Sequence, residues 1–182
     1  MPDTLNRDAQ LSTLANMAYS ENPPITIGDW ALLRPSDAST SGFYAVAYVN
    51  HVTKEVVISY RGTDGVTGDL GADVAFKTGS WNPQFEEAAK FTNQVKQLIS
   101  QAPEYQDAAT GKPYGLLTTG HSLGGGISQL MAKMFGLNGA SFDAPGASEI
   151  VRSAGFAAAQ AQYASDSAGD IGEKFFNYVA QG

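Results

Sequence analysis

Apolar residues recur along the chain at two spacings, one typical of helices and the other of strands. Leu11, Leu14 and Ala18 fall at helical intervals, and the prolines of Asn22-Pro23-Pro24 end that helix. Helical spacing predicts helices over residues 5–19, 83–100, 122–136 and 147–163. Compact runs of apolar and β-branched residues predict strands over residues 43–50, 55–61, 115–119, 139–142 and 174–180.

The order of these elements predicts an α/β fold. The four residues between the strands at 43–50 and 55–61 suit an antiparallel hairpin. Further along the chain, strands alternate with helices, which is typical of right-handed βαβ units in a parallel sheet. We therefore predict one domain over residues 1–182, with a mostly parallel sheet, an antiparallel hairpin at one side and helices on both faces.

The charge balance narrows the classes of partner. The 182 residues carry 11 basic and 18 acidic side chains, which gives a formal net charge of −7. A protein that binds nucleic acid or an anionic membrane through charge needs a basic face, so neither is expected as the main partner. The absence of cysteine excludes disulfides, thiol catalysis and thiolate metal sites, and the two histidines leave little room for a histidine-built metal site.

The N-terminal residues bear on localisation. The first ten residues are polar and lack the basic and apolar regions of a cleavable secretory signal. No run approaches the roughly 18 apolar residues that a membrane-spanning helix needs, so no transmembrane segment is expected. We expect a protein that is secreted without a cleaved leader, with a cytoplasmic location as the alternative.

Residues 120–124 indicate a candidate catalytic site, because they read Gly-His-Ser-Leu-Gly between a predicted strand and a predicted helix. In a nucleophile elbow, this context raises a serine hydroxyl above the sheet. Glycines two residues before and after the serine avoid a clash across the sharp turn. We therefore predict that Ser122 is a nucleophile. The alternative is a glycine-rich turn at a helix start, which could bind an anion.

Three segments, in this order, resemble those of class 3 lipases, the fungal-lipase-like α/β-hydrolases that include bacterial lipases and phospholipases A1. They are residues 56–64 (VVISYRGTD), 120–125 (GHSLGG) and 141–147 (SFDAPGA). The resemblance implies an α/β-hydrolase fold and a serine carboxylic-ester hydrolase that cleaves lipids or other acyl esters through an acyl-serine, without cofactor or metal. It also implies an oxyanion hole made by Thr63 and the backbone N–H of Leu123.

Two segments have a simpler structural interpretation than the one that the resemblance implies. Residues 61–64 could form only a turn in which Thr63 and Asp64 bond the backbone. Residues 65–80 are glycine-rich with scattered apolar side chains. In the resembled family a mobile lid over an acyl pocket follows the RG[ST] motif, so residues 65–80 are a candidate lid. An ordinary surface loop with a short helix is the alternative.

A general base for Ser122 is not evident in the sequence. The α/β-hydrolase chain order is serine, acid and then histidine, and no histidine follows Ser122. His121 lies inside the motif, and its ring is expected to point away from the neighbouring hydroxyl. His51 lies in the predicted hairpin turn, where a solvated loop histidine is the ordinary interpretation. Neither histidine is a convincing base.

The carboxylate that would orient the general base is also not evident in the sequence. Asp166 and Asp170 lie in a polar loop and are weak candidates, whereas Asp143 is expected to belong to a turn after a strand. The resembled family places its acid after a strand like the one predicted at residues 174–180. We therefore expect a chain truncated at its C-terminus, with a C-terminal fragment or a second chain supplying acid and base. The alternative function is a non-catalytic hydrolase-fold module for binding or interaction.

Overall fold

A single seven-stranded sheet forms the centre of the computed structural model, which describes residues 2–62, 75–166 and 175–179. Its strands lie side by side in the order in which they occur along the chain. They are β1 (Thr26–Ile27), β2 (Trp30–Pro35), β3 (Ala45–Asn50), β4 (Glu55–Tyr60), β5 (Gly115–His121), β6 (Asn138–Phe142) and β7 (Phe175–Tyr178). The combination of this sheet with helices confirms the predicted α/β class.

The helices begin and end close to the predicted positions, with one exception described below. They are α1 (Pro2–Met17), α2 (Pro83–Gln101), α3 (Leu123–Phe135), α4 (Ser148–Val151) and α5 (Ala154–Tyr163), with a 3₁₀ turn at Pro103–Tyr105 and a helical turn at residues 75–78. The start of α2 has a clear local cause. The Asn82 side chain accepts the N–H of Phe85 at 3.2 Å, and Pro83 occupies the first helical position, where its missing N–H costs nothing.

Strands β1 to β4 form an antiparallel half of the sheet. β3 and β4 pair along their whole length, which confirms the predicted hairpin. β1 and β2 extend this half, although the sequence does not predict them. β1 has two residues, and the register of β2 shifts between Leu32 and Arg34. The irregularity removes the strict alternation of apolar and polar residues by which a strand is recognised in a sequence.

Strands β4 to β7 form the parallel half. α2 connects β4 to β5, α3 connects β5 to β6, and α4 with α5 connects β6 to β7. The six neighbouring strand pairs divide equally between antiparallel and parallel, so the parallel part is smaller than predicted. The carboxyl ends of β4 to β7 share one edge of the sheet, here called the carboxyl edge. Ligands of open α/β sheets bind outside such an edge.

Helices cover both faces of the sheet, as predicted. On one face, Leu14 of α1 belongs to an apolar cluster that includes Val57 of β4. On the other face, Phe85 of α2 and Met131 of α3 belong to a larger cluster that includes Ile58 of β4. Adjacent residues of β4 thus point to opposite cores, and this strand is buried on both sides.

The prediction of one helix over residues 147–163 is wrong. The structure has two helices there, α4 and α5, with a break at Arg152 and Ser153. Ser153 adopts an extended backbone, and its side chain accepts the N–H of Phe156 at 3.1 Å. This bond caps a new helix start, and the alanine-rich sequence that follows hides the break from an analysis of periodicity.

Candidate functional site

Ser122 forms a sharp turn between β5 and α3 at the carboxyl edge. Its φ of 53° and ψ of −130° lie in a region that non-glycine residues rarely adopt. Hydrogen bonds hold this conformation: the Ser122 N–H donates to the Phe142 carbonyl at 2.9 Å, and the Ser122 carbonyl accepts the N–H of Gly126 at 3.1 Å. The turn is therefore tied to β6 on one side and to the first turn of α3 on the other.

The two glycines of the motif are required by close backbone contacts. A β-carbon placed on Gly120 would lie 2.3 Å from the carbonyl oxygen of Gly124. A β-carbon on Gly124 would lie 2.1 Å from the carbonyl oxygen of Tyr60, at the end of β4. Both distances are shorter than the 3.0 Å below which real β-carbons essentially never approach another atom, so larger residues would clash across this turn, as expected. Gly124 in addition brings the start of α3 against β4.

Leu123 is the first residue of α3, and its side chain is buried in the larger core. The first N–H groups of a helix have no partner within the helix, and they lie at the positive end of its dipole. The backbone N–H of Leu123 is thus positioned next to Ser122 at a place that favours negative charge. Thr63, the other residue predicted for the oxyanion hole, lies outside the described residues.

The residue before Thr63 does belong to the site. A β-carbon placed on Gly62 would lie 2.2 Å from the Tyr19 hydroxyl and 2.6 Å from the carbonyl oxygen of His121. The end of β4 therefore lies directly against the Ser122 turn. Tyr19 follows α1, and it belongs to none of the motifs found in the sequence. The one available signal is an aromatic residue at the last position of the helix predicted over residues 5–19.

The side chain of His121 lies between Tyr19 and Asp143. The ring centroids of His121 and Tyr19 are 6.5 Å apart in an edge-to-face arrangement. The His121 Nε2 atom lies 3.6 Å from a carboxylate oxygen of Asp143, and both side chains are half-exposed. Asp143 follows β6 with a φ of 48°, and its N–H donates to the Tyr178 carbonyl at 2.7 Å. Asp143 thus shares the carboxyl edge with Ser122.

His51 lies at the opposite edge of the sheet. It stands in the turn between β3 and β4, before the start of β4, whereas Ser122 follows the end of the parallel neighbour β5. The His51 ring stacks on Tyr105 with centroids 6.1 Å apart, and its Nδ1 atom lies 3.2 Å from the Tyr114 hydroxyl. The structure does not bring His51 and Ser122 together.

Asp166, one of the two candidates for the acid, forms an ion pair with Lys96 of α2. Both of its carboxylate oxygens accept hydrogen bonds from the Lys96 ammonium at 3.0 Å. Lys96 lies 13 residues after Pro83, at which α2 begins. At a rise of about 1.5 Å per residue, Lys96 lies about 20 Å along the helix axis from Pro83. Asp170 lies outside the described residues.

Part of the candidate lid can be located. Residues 65–74 lie outside the described residues, but residues 75–78 form a helical turn whose Phe76 side chain is buried. A β-carbon placed on Gly126 would lie 2.5 Å from the Phe76 ring. The ring also packs edge-to-face on Phe85 with centroids 5.1 Å apart. Phe76 therefore attaches this end of the segment to α2 and α3.

A cleft of about 470 Å³ opens at the same edge of the sheet, beside the end of β4. Its lining residues come from the ends of β2 and β4, the start of β3 and neighbouring loops: Glu21, Pro23, Pro35, Ser36, Asp37, Ala38, Ser39, Gly42, Phe43, Tyr44 and Arg61. The Arg61 guanidinium donates to the Gly42 carbonyl at 3.0 Å and lies over the Tyr44 ring. Burial raises the pKa of Tyr44, and the charge of Arg61 opposes that rise.

Within residues 2–62, 75–166 and 175–179, no helix combines the length and apolar character needed to cross a bilayer. The same ranges contain no cluster of three or more acidic or histidine side chains that could hold a metal ion.

The chain is similar to lipases and phospholipases in sequence and in fold. A family model described as a Tle-like phospholipase domain matches residues 10–170. The curated protein "Putative lipase ATG15" of Candida glabrata is 28% identical over 189 residues, which cover 80% of this chain and 37% of that protein. The chain thus spans well under half of this relative.

Solved structures of fungal lipases have the same fold. A fungal lipase in an inhibitor complex matches with a TM-score of 0.58 at 17% identity, over 100% of this chain and 72% of the lipase. A triacylglycerol lipase from Penicillium expansum matches with a TM-score of 0.54 at 17% identity, over 78% of this chain and 61% of the lipase. These matches confirm the predicted α/β-hydrolase fold.

Proposed function

The chain belongs to the family of Tle-like phospholipase domains, and from this membership we propose that it is a serine carboxylic-ester hydrolase of the lipase or phospholipase A1 type. Its substrate would be an acyl ester of a lipid. The curated relative and the fungal structures are lipases by name, which supports a lipid ester as the class of substrate.

The conformation of Ser122 is the observation that carries this proposal. A serine with a φ of 53° between a strand and a helix has the geometry of a nucleophile elbow. Strained backbone of this kind persists only where the surrounding structure enforces it, and it concentrates at functional sites. An anion-binding turn would need only helical N–H groups, and it would not require a strained serine between two glycines.

In the proposed reaction, the Ser122 hydroxyl oxygen attacks the carbonyl carbon of the ester while a general base accepts the hydroxyl proton. The tetrahedral intermediate carries its negative charge on the former carbonyl oxygen. Its collapse breaks the bond to the alcohol, which leaves with the proton from the base. Water then attacks the acyl-serine with help from the same base, and the carboxylic acid leaves as the serine regains its proton.

The backbone N–H of Leu123 and a donor from Thr63 would stabilise the oxyanion. Leu123 directly follows Ser122 at the start of α3. Gly62, the residue before Thr63, lies against the same turn. Hydrogen-bond donors that are fixed before the reaction stabilise developing charge without reorganisation, and removal of one donor typically lowers the rate by about 10²–10³.

The general base and the acid would come from polypeptide outside these 182 residues, as a C-terminal fragment or a second chain. Two positions in the chain carry histidine. His51 lies at the opposite edge of the sheet, and the His121 ring is directed toward Tyr19 and Asp143. An imidazole that serves this serine needs to come within about 3 Å of its hydroxyl oxygen.

A fluorophosphonate probe tests the proposed nucleophile, since it labels activated serines covalently. We expect labelling of the purified protein, or of its complex with the completing polypeptide, and hydrolysis of a short-chain acyl ester. Both should be lost in Ser122→Ala. Ser128→Ala is the matched control, because Ser128 lies in α3, which begins directly after Ser122, and its buried hydroxyl has no hydrogen-bond partner among the described residues.

The alternative, a non-catalytic hydrolase-fold module, is favoured by one observation, the lack of a suitably placed histidine among the described residues. It predicts that a protein with the completing segment neither takes up the probe nor hydrolyses the ester. Equal labelling of the wild type and Ser122→Ala would also overturn the proposed function, because the reactive serine would then lie elsewhere.

A further inference from the structure

Tyr19 is held in place by a well-anchored helix. It follows α1, and its backbone N–H donates to the Asn16 carbonyl at 3.2 Å. α1 packs on the sheet through buried residues that include Leu11 and Leu14. The buried Thr119 hydroxyl of β5 in addition donates to the Leu11 carbonyl at 3.1 Å. The position of the tyrosine is thus fixed relative to β5, three residues before the Ser122 turn.

The Tyr19 hydroxyl touches two separate segments of the candidate site. It donates to the carbonyl oxygen of His121, the residue before Ser122, at 3.2 Å. It also lies so close to Gly62, the residue before Thr63, that a β-carbon there would approach it to 2.2 Å. One hydroxyl group therefore contacts the residues that directly precede the proposed nucleophile and the proposed oxyanion donor.

We propose that Tyr19 is a positioning residue, which fixes the separation between the Ser122 turn and the segment at the end of β4. This inference rests on the proposed function, since the separation matters only if Ser122 and Thr63 act on the same carbonyl group. Catalytic groups must be held within about 0.5 Å of their productive geometry. A misplacement of about 1 Å can lower the rate about 10²-fold.

The geometry distinguishes positioning from substrate binding. The Tyr19 hydroxyl donates its proton to a backbone carbonyl, and the edge of its ring meets the His121 ring. Loss of this hydroxyl should therefore alter the rate of acylation rather than the affinity for substrate. Tyr48 provides a matched control, because its hydroxyl also donates to a backbone carbonyl, that of Pro24, at 3.0 Å. Tyr48 lies in β3, which β4 separates from β5.

The experiment compares Tyr19→Phe with Tyr48→Phe in the intact protein. Each variant loses one tyrosine-to-carbonyl hydrogen bond, so both should show a similar small fall in the midpoint of thermal unfolding. We expect kcat of Tyr19→Phe to fall about tenfold with KM unchanged, because the change acts only on the transition state. The rate of labelling by a fluorophosphonate should fall in parallel. Tyr48→Phe should retain the wild-type kcat and labelling rate.

The possible results separate this inference from the proposed function. A wild-type protein without Ser122-dependent hydrolysis overturns both. An active wild type with equal kcat in Tyr19→Phe and Tyr48→Phe overturns only the role of Tyr19. A rise in KM with kcat unchanged also overturns it, in favour of a contact with substrate. Rates are referred to the folded fraction measured by circular dichroism, so that loss of folded protein is not counted as loss of catalysis.

Discussion

At the scale of single residues, the site depends on backbone positions where no side chain fits. Gly120 and Gly124 lie on either side of Ser122, and Gly62 lies against the same turn from β4. Each glycine permits two backbones to approach more closely than a β-carbon would allow. The strained serine and the start of α3 after it can exist only because these three residues have no β-carbon.

Gly120→Ala should therefore destabilise the protein strongly. The new β-carbon would meet the backbone of Gly124 at 2.3 Å, so the strand-to-helix turn would have to open. We expect a loss of at least about 1–3 kcal/mol in the free energy of unfolding, measured by chemical denaturation, together with loss of hydrolysis.

Gly146→Ala is the control for this substitution, because no atom lies within 4 Å of a β-carbon placed there and its φ is not positive. Its stability should equal that of the wild type or exceed it slightly, as alanine restricts the unfolded chain. Equal stabilities for the two variants would contradict the close packing that is described for the turn.

The sequence could predict part of this site. The Gly-His-Ser-Leu-Gly motif directly indicates the turn at Ser122, because the spacing of its glycines is a local property of the chain. The contribution of Tyr19 could not be predicted in this way, since 102 residues separate it from His121. The motif also does not reveal that the acid candidate Asp166 pairs with Lys96 of α2. Contacts of this kind depend on the fold.

At the scale of elements, regular periodicity determined which parts of the fold were predicted. β3, β4, α2 and α3 have strong apolar patterns, and all four lie close to their predicted positions. The sequence patterns missed β1 and β2 and did not divide α4 from α5. β1 has only two residues, β2 has a register shift and ends at a proline, and a side-chain cap at Ser153 begins α5. Local hydrogen bonds override average spacing at those places.

An ion pair links two connections at the edge opposite the Ser122 turn. Lys54, in the turn between β3 and β4, donates to a carboxylate oxygen of Asp107, in the loop before β5. The hydrogen bond from Lys54 is the main cause that holds the pKa of Asp107 below its ordinary value of 3.8, and the N–H of Ala109 adds to it. A carboxyl group whose pKa is lowered by folding stabilises the folded state only while it is ionised.

We therefore expect the difference in unfolding free energy between the wild type and Asp107→Asn to depend on pH. The difference should be constant above about pH 5, where the carboxyl group is ionised in both folded and unfolded chains, and should shrink as the pH falls below about 4. Urea denaturation at several pH values measures it. In a Lys54→Met background the pH dependence should weaken, and a pH dependence that persists unchanged would contradict the role of Lys54.

At the scale of the whole molecule, β7 forms an edge of the sheet as far as the chain is described. Two of its apolar side chains are exposed, Phe176 at 41% and Tyr178 at 40%, and so is Val179, just beyond the strand, at 66%. An edge strand with exposed apolar residues can pair with another chain. The opposite edge is formed by the two-residue β1, which is too short to pair extensively.

Val179→Lys should reduce association between copies of the protein, because a charge at an edge strand opposes pairing. The expected result is a lower average mass in light scattering at high protein concentration than for the wild type. Val52→Lys is the control, since Val52 is 76% exposed in the turn between β3 and β4, at the opposite edge from the Ser122 turn. An equal effect of both substitutions would indicate that added charge alone, rather than the edge of β7, governs association.

The side-by-side order of the strands has a consequence for how the protein is made on the ribosome. Each strand pairs with the strand synthesised immediately before it, so its partner is already complete when it leaves the exit tunnel. α1 is synthesised before these strands, and some of its contacts form late, because Thr119 of β5 and Ala140 of β6 belong to its side of the sheet. The sheet can therefore grow in one direction during translation, and the Ser122 turn becomes complete only when β6 provides the Phe142 carbonyl.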